Sequence, residues 1–536
     1  MTEEKSTEGS VRLRSSTVGF GLGTSRGENV MAQGKESNTD IHTPDHQEVD
    51  SLKKKRVLIV GAGAAGTAAA YSLSRHKEAF YVSVWEKERV PGGVACTVNL
   101  PHGTFVNEGV QGGCPSYRNT LSLMKEHGLS GHPVKMMVSF GKDETAWTNY
   151  THSPLIERLQ PEIKRFQRTL KTINRLETIF IFVPIAKVLK WFNYSDDFRN
   201  LIVFPLVALF FGTGNQTPNV SAAVIARVFL DDDLRLFDYD PEWFLSQSPD
   251  MFAFPNLEEM YRTILSQCGV EFHMNRPVQK IKRTSGKIYA QDEMGKEEEF
   301  DELIMACDAE TALKVLDKPT FWERHALGNV KYYNDITITH EDEDYMNKHY
   351  ELHKDIDQYF IRTDPENREK IEMSFNLSNY QPQLKLNKER NIYQTIFLDD
   401  KESDSWTIKE IKEDKILLRH WWRQFAHTWS HFAFTTPLVR YIQGTKHTHY
   451  AGSYTLINTH EIAVISGLAA AHRLGAPYPF AQDPLALKQF DQYMTVIYGK
   501  ARNSGCNWAS VKNVLLAPFA RLFALLILLV GMCVQK

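Results

Sequence analysis

Three glycines and one acidic residue form the clearest functional pattern in the sequence. Gly61, Gly63 and Gly66 give the spacing GxGxxG, and Glu86 follows the last of them after 20 residues, from 66 to 86. In this pattern the first glycine allows a sharp turn, the second lets a pyrophosphate approach the main chain, and the third lets a helix pack closely on a strand. An acid at this distance accepts hydrogen bonds from a ribose hydroxyl. The spacing therefore predicts a dinucleotide site.

The elements around the glycines have the order that such a site needs. Residues 57–60 are aliphatic without alternation, which predicts a parallel strand buried on both faces. Residues 67–70 are small and continue a helix whose N-terminal N–H groups favour phosphate. Residues 81–85 predict the second strand, which Glu86 ends. The following neighbours are also predicted nucleotide contacts: Ala64, Ala65 and Lys87.

A glycine doublet after the acid distinguishes between NAD and FAD. Gly92 and Gly93 follow Glu86 closely, and the order GxGxxG, acid, GG resembles the opening of the FAD-dependent amine oxidase and phytoene desaturase superfamily. Within it the chain is most similar to flavoproteins associated with cyclopropane fatty acid synthases and to their fungal relatives. The resemblance implies that FAD is the cofactor. It also implies an α/β fold, in which a Rossmann-like FAD-binding domain is interleaved with an α+β substrate-binding domain.

Two later segments resemble the same superfamily. "PVQKIK" is similar to the second FAD segment, in which the backbone of Val278 would lie beside the adenine end, and residues 286–310 resemble its hairpin. Residues 449–475 are similar to the closing motif, in which a turn approaches the flavin and a helix N-terminus faces the pyrimidine end of the ring. The resemblance assigns these closing-motif roles to the following residues: Gly452, Ser453, Glu461 and Ile462.

The catalytic candidates also come from the resemblance. Lys331 resembles the lysine that holds a water near flavin N5 in monoamine oxidases, although a surface lysine at a strand end explains it equally well. His460 is placed beside the flavin by the closing motif. Two departures weaken the case for amine oxidation, because Val94 stands where monoamine oxidases have arginine and Ile462 stands where they have glycine.

Composition excludes several other classes of protein. The chain has 536 residues and a formal net charge of -3, which gives no sign of nucleic-acid binding. Its 6 cysteines form no CxxC pair and no zinc spacing, which argues against disulfide redox chemistry and predicts no metal site. A second, partial glycine motif at Gly212 lacks the third glycine and the acid. A built-in NADPH domain is therefore not expected.

The segments predict an interleaved domain order. Residues 1–52 are polar and lack the apolar core of a signal peptide, so they predict a disordered tail. The remaining boundaries are FAD-binding segments at 53–112, 251–315 and 442–480, a helical substrate segment at 113–250, a second substrate segment at 316–441, a helical region at 481–512 and an apolar helix at 513–536.

Two apolar regions of the sequence bear on the class of substrate and on attachment to a membrane. Residues 149–215 predict helices that form either a hydrophobic core or the wall of an apolar tunnel. Residues 514–534 are long enough to span a bilayer, interrupted by Arg521, and a helix docked in the core is the alternative. We therefore expect an intracellular protein attached by this segment to the cytosolic face of an organelle membrane, with a soluble cytoplasmic protein as the alternative.

These observations together predict an FAD-dependent oxidoreductase that acts on a hydrophobic, lipid-like substrate. Hydride transfer to flavin N5 would give desaturation, saturation or double-bond isomerisation, with oxygen, a quinone or a redox partner as the acceptor. The first alternative is a flavin amine oxidase that produces an imine and hydrogen peroxide. The second is a flavin-binding scaffold without turnover, because Val94 and Ile462 depart from the catalytic pattern.

Overall fold

The computed structural model describes most of the chain between residues 54 and 499. The described ranges are 54–101, 103–231, 250–353, 355–364, 370–385, 390–425 and 428–499. The predicted N-terminal tail at 1–52 and the predicted apolar helix at 513–536 lie outside these ranges.

Runs of strands and runs of helices follow one another along the described ranges. The strands are β1 (Lys55–Val60), β2 (Phe80–Trp85), β3 (Cys96–Asn99), β4 (Phe105–Glu108), β5 (Gly112–Gly113), β6 (His132–Lys135), β7 (Val138–Phe140), β8 (Trp147–Thr148), β9 (Asp250–Ala253), β10 (Glu271–His273), β11 (Val278–Thr284), β12 (Lys287–Asp292), β13 (Glu297–Phe300), β14 (Glu302–Met305), β15 (Tyr332–His340), β16 (Tyr359–Thr363), β17 (Ile371–Asn376), β18 (Tyr393–Phe397), β19 (Ile416–Phe425) and β20 (Thr448–Tyr450).

The α-helices follow the same numbering. They are α1 (Ala64–Ser74), α2 (Arg118–Glu126), α3 (Pro154–Arg175), α4 (Glu177–Phe180), α5 (Ile185–Trp191), α6 (Phe204–Phe211), α7 (Ala222–Phe229), α8 (Leu257–Cys268), α9 (Ala309–Val315), α10 (Phe321–Gly328), α11 (Glu343–His349), α12 (Leu377–Tyr380), α13 (Trp429–Phe434), α14 (Thr436–Ile442), α15 (His460–Leu474) and α16 (Pro484–Tyr493). Short π-helices occupy Phe198–Val203 and Met494–Tyr498.

A parallel sheet carries the glycine pattern. Its strand order is β10-β2-β1-β14-β20, with Val57 opposite Val82 on one side and opposite Glu302 on the other. The last four residues of β1 are buried, because α1 and α15 pack against one another beside the sheet. A parallel sheet covered in this way needs the continuous aliphatic run that the sequence shows. The predicted α/β class is confirmed.

The hairpin predicted at residues 286–310 extends from this sheet. Strands β11, β12 and β13 form an antiparallel sheet of three strands, in the order in which they occur in the chain. After Phe300 the chain turns and β14 enters the parallel sheet beside β1. In the order of the chain, the hairpin therefore lies between β10 and β14, two strands of the parallel sheet.

A second large sheet is assembled from distant parts of the chain. Its strand order is β19-β15-β18-β17-β16-β7-β8, and all pairs are antiparallel except β16 with β7. Strands β7 and β8 come from the segment that we predicted as helical, at 113–250. That segment is thus mixed, because two of its strands complete the edge of a sheet built mainly from residues 332–425.

The apolar region at 149–215 forms a helical layer over this sheet. Helices α3, α5, α6 and α7 share one hydrophobic cluster with residues of β7, β16 and β17. Most of the aliphatic and aromatic side chains of α6 are buried there. Among the described residues, no helix combines the length and the hydropathy needed to cross a membrane.

Candidate active site

The glycine turn after β1 is shaped so that only glycine fits at two of its positions. Gly61 has a φ of +104°, and a Cβ there would lie 2.8 Å from the Ala306 carbonyl oxygen. A Cβ on Gly66 would lie 1.9 Å from the Gly61 carbonyl oxygen. Gly63 caps α1 without a side chain, so the first N–H groups of the helix face open space. Such an end attracts a phosphate anion.

Glu86 connects this turn to the loop that follows β2. Its carboxylate accepts hydrogen bonds from the backbone N–H of Ala62, at 2.7 Å, and from that of Glu88, at 2.9 Å. The residue is buried but still lines the cavity described below. Each carboxylate oxygen has a second acceptor position, so the predicted bond to a ribose hydroxyl is compatible with both contacts.

The glycine doublet lies directly beside the turn. Gly92 pairs with Gly63 as an isolated bridge, and its N–H donates to the Ala62 carbonyl oxygen at 2.9 Å. A Cβ on Gly92, whose φ is +127°, would lie 2.3 Å from the Ala95 carbonyl oxygen. The doublet therefore holds two loops together at the point where a nucleotide would enter.

One large cavity of about 1620 Å³ joins the nucleotide turn to the second sheet and the helical layer. Nearly all predicted cofactor residues line it. They are Gly61, Gly63, Ala64, Ala65, Glu86, Lys87, Gly92, Gly93, Val278, Gly452, Ser453, Glu461 and Ile462. Gly66 does not line the cavity, because it lies at the contact of α1 with the turn. A ligand with an anionic linker and a ribose fits this nucleotide end, so the residues present fit FAD.

Glu461 is committed to a structural contact. Its carboxylate accepts hydrogen bonds from the backbone N–H of Asn119 at 2.7 Å, from the Asn119 side-chain amide at 2.9 Å and from the backbone N–H of Thr120 at 2.8 Å. It therefore caps the N-terminus of α2. Burial raises the pKa of this carboxyl group despite these donors. The carboxylate thus holds α2 while Glu461 also lines the cavity, and its contact with the cofactor stays a prediction.

His460 is buried beside Glu461 and has both ring nitrogens engaged. Nδ1 lies 3.2 Å from the Thr120 hydroxyl, and Nε2 contacts the Tyr261 hydroxyl. Burial lowers the pKa of the imidazole to about 4, so the ring is neutral at physiological pH. With no nitrogen left for a substrate, the geometry favours a structural role over the predicted catalytic one.

Lys331 is exposed and does not line the cavity. Its neighbour Tyr332, the first residue of β15, does line it, and the Tyr332 hydroxyl accepts a hydrogen bond from the Ala309 N–H at 2.9 Å. Successive residues of an extended chain point to opposite sides. The structure therefore does not bring Lys331 to the cavity wall, and its role beside the flavin stays a prediction.

Beyond the nucleotide end the cavity wall is largely apolar. The helical layer and the second sheet contribute the following side chains: Ile181, Phe182, Leu209, Phe210, Phe211, Val224, Val228, Tyr359, Phe375, Ile396 and Phe432. At the helical end Arg227 and Glu177 form an ion pair, with Nη2 and Oε2 at 2.8 Å. The region at 149–215 is thus both a hydrophobic core and the wall of an apolar cavity.

A polar cluster that the sequence analysis missed lies in the same wall. Thr337, Gln394 and His420 line the cavity, and they surround the buried carboxylate of Glu108. These residues come from four strands that are far apart in the chain. The only signal in the sequence was an acid directly before a glycine, at 108–109, and that signal is weak.

The family follows from a comparison of the sequence with protein-family models. The model described as "Flavin containing amine oxidoreductase" matches residues 64–475, which is most of the chain. The chain belongs to this family. It is accordingly an FAD-dependent oxidoreductase. No curated protein sequence matches the chain.

Solved structures of this flavoenzyme fold superpose on the chain over most of their length. A CLA-producing fatty acid isomerase from P. acnes has a TM-score of 0.57 at 16% identity, covering 78% of this chain and 99% of its own. Putrescine oxidase bound to putrescine has 0.57 at 16%, covering 79% and 99%. Cyclohexylamine oxidase from Brevibacterium oxydans IH-35A has 0.56 at 12%, covering 78% and 99%. At identities this low, the similarity shows a shared fold and nothing further.

Proposed function

We propose that this flavoenzyme acts on a long, hydrophobic, lipid-like substrate. The observation that carries the proposal is the apolar wall formed by α6, α7 and the second sheet. A cavity of about 1620 Å³ exceeds the size of ordinary ligand pockets, which leaves room for a substrate besides the cofactor. Each CH₂ group of an acyl or isoprenoid chain buried against this wall contributes about 0.8 kcal/mol.

The chemistry proposed is desaturation, saturation or movement of a double bond. FAD, when bound, supplies an acceptor for hydride from a substrate carbon. The protein orients the acyl or isoprenoid chain of the substrate along the apolar wall and excludes water from this substrate. The fold shared with a fatty acid isomerase supports this class of reaction. The relationship to flavoproteins associated with cyclopropane fatty acid synthases is part of the same proposal.

Amine oxidation to an imine is the second candidate. It is supported by the family description and by the fold shared with putrescine oxidase and cyclohexylamine oxidase. A protonated amine needs a carboxylate or aromatic faces near the flavin. Aromatic side chains do line the cavity, but beyond the nucleotide end its wall is largely apolar, and two of the lining carboxylates are engaged: Glu461 caps α2, and Glu177 pairs with Arg227. We therefore rank the lipid substrate first.

The remaining partners are proposed from the sequence. Oxygen, a quinone or a redox partner would reoxidise the flavin, and nucleic acid would play no part. The apolar segment at 513–536 would hold the enzyme on the cytosolic face of an organelle membrane, where a hydrophobic substrate is dissolved. A soluble cytoplasmic enzyme remains the alternative, to be separated by fractionation.

Anaerobic reduction of the bound flavin tests the substrate class. Purified, FAD-loaded protein is mixed without oxygen with linoleic acid, with putrescine or with benzylamine, and flavin absorbance and the lipid double bonds are followed. We expect bleaching of the flavin or a rearranged double bond with linoleic acid, and no change with the amines. Rapid bleaching by an amine while the lipid is inert would replace the proposal by amine oxidation.

A further inference from the structure

The polar cluster in the cavity wall contains a carboxylate with every acceptor position filled. Oε1 of Glu108 accepts hydrogen bonds from the Thr339 hydroxyl at 3.0 Å and from the Gln394 amide at 2.9 Å. Oε2 accepts from the Thr337 hydroxyl at 3.3 Å and lies 3.2 Å from Nδ1 of His420. A carboxylate offers about four acceptor positions. Glu108 is also fully buried, so it cannot itself exchange a proton with a ligand.

His420 connects this carboxylate to the cavity. Its side chain is 32% exposed, it lines the cavity, and its ring stacks on that of Trp422 with the centroids 3.9 Å apart. Among the described residues, Nε2 of His420 has no hydrogen-bond partner. A carboxylate at Nδ1 favours the tautomer with the proton on that nitrogen, which leaves a lone pair on Nε2.

Among the described groups that surround His420 and Glu108, Glu108 is the charged partner of His420. Thr337 and Thr339 face it from β15, and Gln394 faces it from β18. Cys96 lies opposite Glu108 in the β3-β4 pair. Burial, and to a smaller degree the Glu108 charge, raise the pKa of this thiol to about 12, so it stays neutral. The buried Glu108 carboxylate would thus stabilise a positive charge on His420. The Thr337 hydroxyl, which donates to this carboxylate, is itself held by the Trp422 indole, whose N–H donates to it at 3.0 Å.

We propose that His420 is a further catalytic residue, the proton-transfer group of the cavity, and that Glu108 is its positioning residue. The inference rests on the proposed function. As a substrate C–H bond breaks, its proton forms a bond to Nε2 of His420 and its electron pair stays on the substrate. That pair forms the new double bond as a hydride leaves the neighbouring carbon for FAD, the oxidant of this family. In an isomerisation the hydride would return from the reduced flavin and the proton from Nε2, each to a carbon other than the one it left.

Site-specific labelling tests the open nitrogen without any turnover. FAD-loaded protein is treated with diethyl pyrocarbonate, which modifies the free lone pair of an imidazole, and the modified histidines are identified by mass spectrometry. We expect His420 to be labelled, and linoleic acid to protect it. His447 is a matched control, because its Nδ1 lies 3.3 Å from Glu302 at the surface and outside the cavity. It should be labelled equally with and without the lipid.

Variants test the role itself. His420→Ala should slow anaerobic flavin reduction by linoleic acid at least about 100-fold with the FAD content unchanged, because general acid–base groups contribute factors of this order. Added imidazole should restore part of the rate. Glu108→Gln should lower the rate and Glu108→Asp should recover some of it, whereas His447→Ala should behave as the wild type.

Two results would overturn the inference. One is an unlabelled His420 in the substrate-free holoprotein, and the other is a His420→Ala variant with the wild-type rate. If linoleic acid neither reduces the flavin of the wild-type protein nor undergoes double-bond rearrangement, the proposed substrate class fails instead, and the labelling of His420 still decides whether Nε2 is open to the cavity.

Discussion

At Gly63 a side chain would disturb a ligand more than the protein. A Cβ there has no neighbour closer than the Gly92 carbonyl oxygen at 3.5 Å, an ordinary van der Waals contact. The fold therefore tolerates a larger residue, whereas a pyrophosphate that approaches the main chain does not. This separation makes Gly63 the most informative single position for testing the cofactor site.

Replacing Gly63 by valine should leave a folded protein that has lost most of its FAD. The β-branched side chain would occupy the place of the phosphates at the start of α1. The ratio of flavin absorbance to protein absorbance after purification measures the loss. Gly328→Ala is the control, because a Cβ there meets only Leu313 at 3.9 Å and should leave the flavin content unchanged. A yellow Gly63→Val protein would contradict the assigned site.

The nucleotide end was predictable at the level of residues, and the chemistry of the cavity was not. Gly61, Gly66 and Glu86 act through local spacing, so their roles follow from the sequence. Lys331 and Tyr332 differ by one position, and only the observed register tells which of them reaches the cavity. The partners of Glu108 come from β15, β18 and β19, and such a cluster has no local spacing to recognise.

At the scale of secondary-structure elements, one buried ion pair links two strands and a helix. Arg283 of β11 forms a bidentate pair with Glu323 of α10, at 2.6 and 2.8 Å, and the Tyr450 hydroxyl of β20 donates to the same carboxylate at 2.6 Å. Burial works to raise the pKa of Glu323, but the hydrogen bonds from Arg283, Tyr450 and the Thr320 N–H outweigh it and lower the pKa to about 2.

Glu323→Gln should therefore lower the free energy of unfolding by about 3 kcal/mol at neutral pH, since it leaves a buried guanidinium without its charge partner. Because the folded-state pKa lies below the ordinary value of 4.5, the stabilisation is present above pH 4.5 and is lost as the pH falls toward 2. Thermal melts at several pH values should show the two proteins converging in acid. Glu297→Gln, which breaks an exposed pair with Lys282, should cost less than about 1 kcal/mol. A constant difference across pH would count against the assignment.

Helix α7 offers a test of the apolar wall. Val228→Trp would fill the helical end of the cavity, and α7 carries none of the predicted cofactor residues. The substitution should therefore weaken binding of linoleic acid at least about tenfold while FAD stays bound. Lipid binding is measured by the perturbation of the flavin spectrum. Ile356→Trp is the matched control, because Ile356 is exposed and does not line the cavity. Unchanged lipid affinity in Val228→Trp would place the substrate elsewhere.

For the whole molecule, the open question is membrane attachment. Among the described residues, those that line the cavity all precede residue 497, whereas the apolar segment begins at 513. A protein that ends at Ser510 should therefore bind FAD and remain in the supernatant, and the full-length protein should pellet with membranes and resist carbonate extraction. Immunoblots of the fractions measure this. Equal partitioning of the two proteins would contradict a membrane anchor.

The architecture was predictable in part at this scale. The recurrence of three nucleotide segments, at 53–112, 251–315 and 442–480, predicts an interleaved molecule, and β1, β14 and β20 do meet in one sheet. An α+β substrate domain was predicted, but the strand order of the second sheet was not, because some neighbouring strands are far apart in the chain. Strand β7, for example, pairs with β16 more than 200 residues later, from 138 to 359.

The position of β20 at the edge of the parallel sheet affects how the protein is made. Strand β20 pairs with β14, yet it is synthesised about 390 residues after β1, from 60 to 448. At about 5 to 20 residues per second, translation takes tens of seconds to deliver the strand that completes the sheet. From the end of β14, at residue 305, until β20 is made, the nascent chain presents the unpaired edge of β14. The newly synthesised polypeptide is therefore a natural client for chaperones, and it can acquire its flavin only near the end of synthesis.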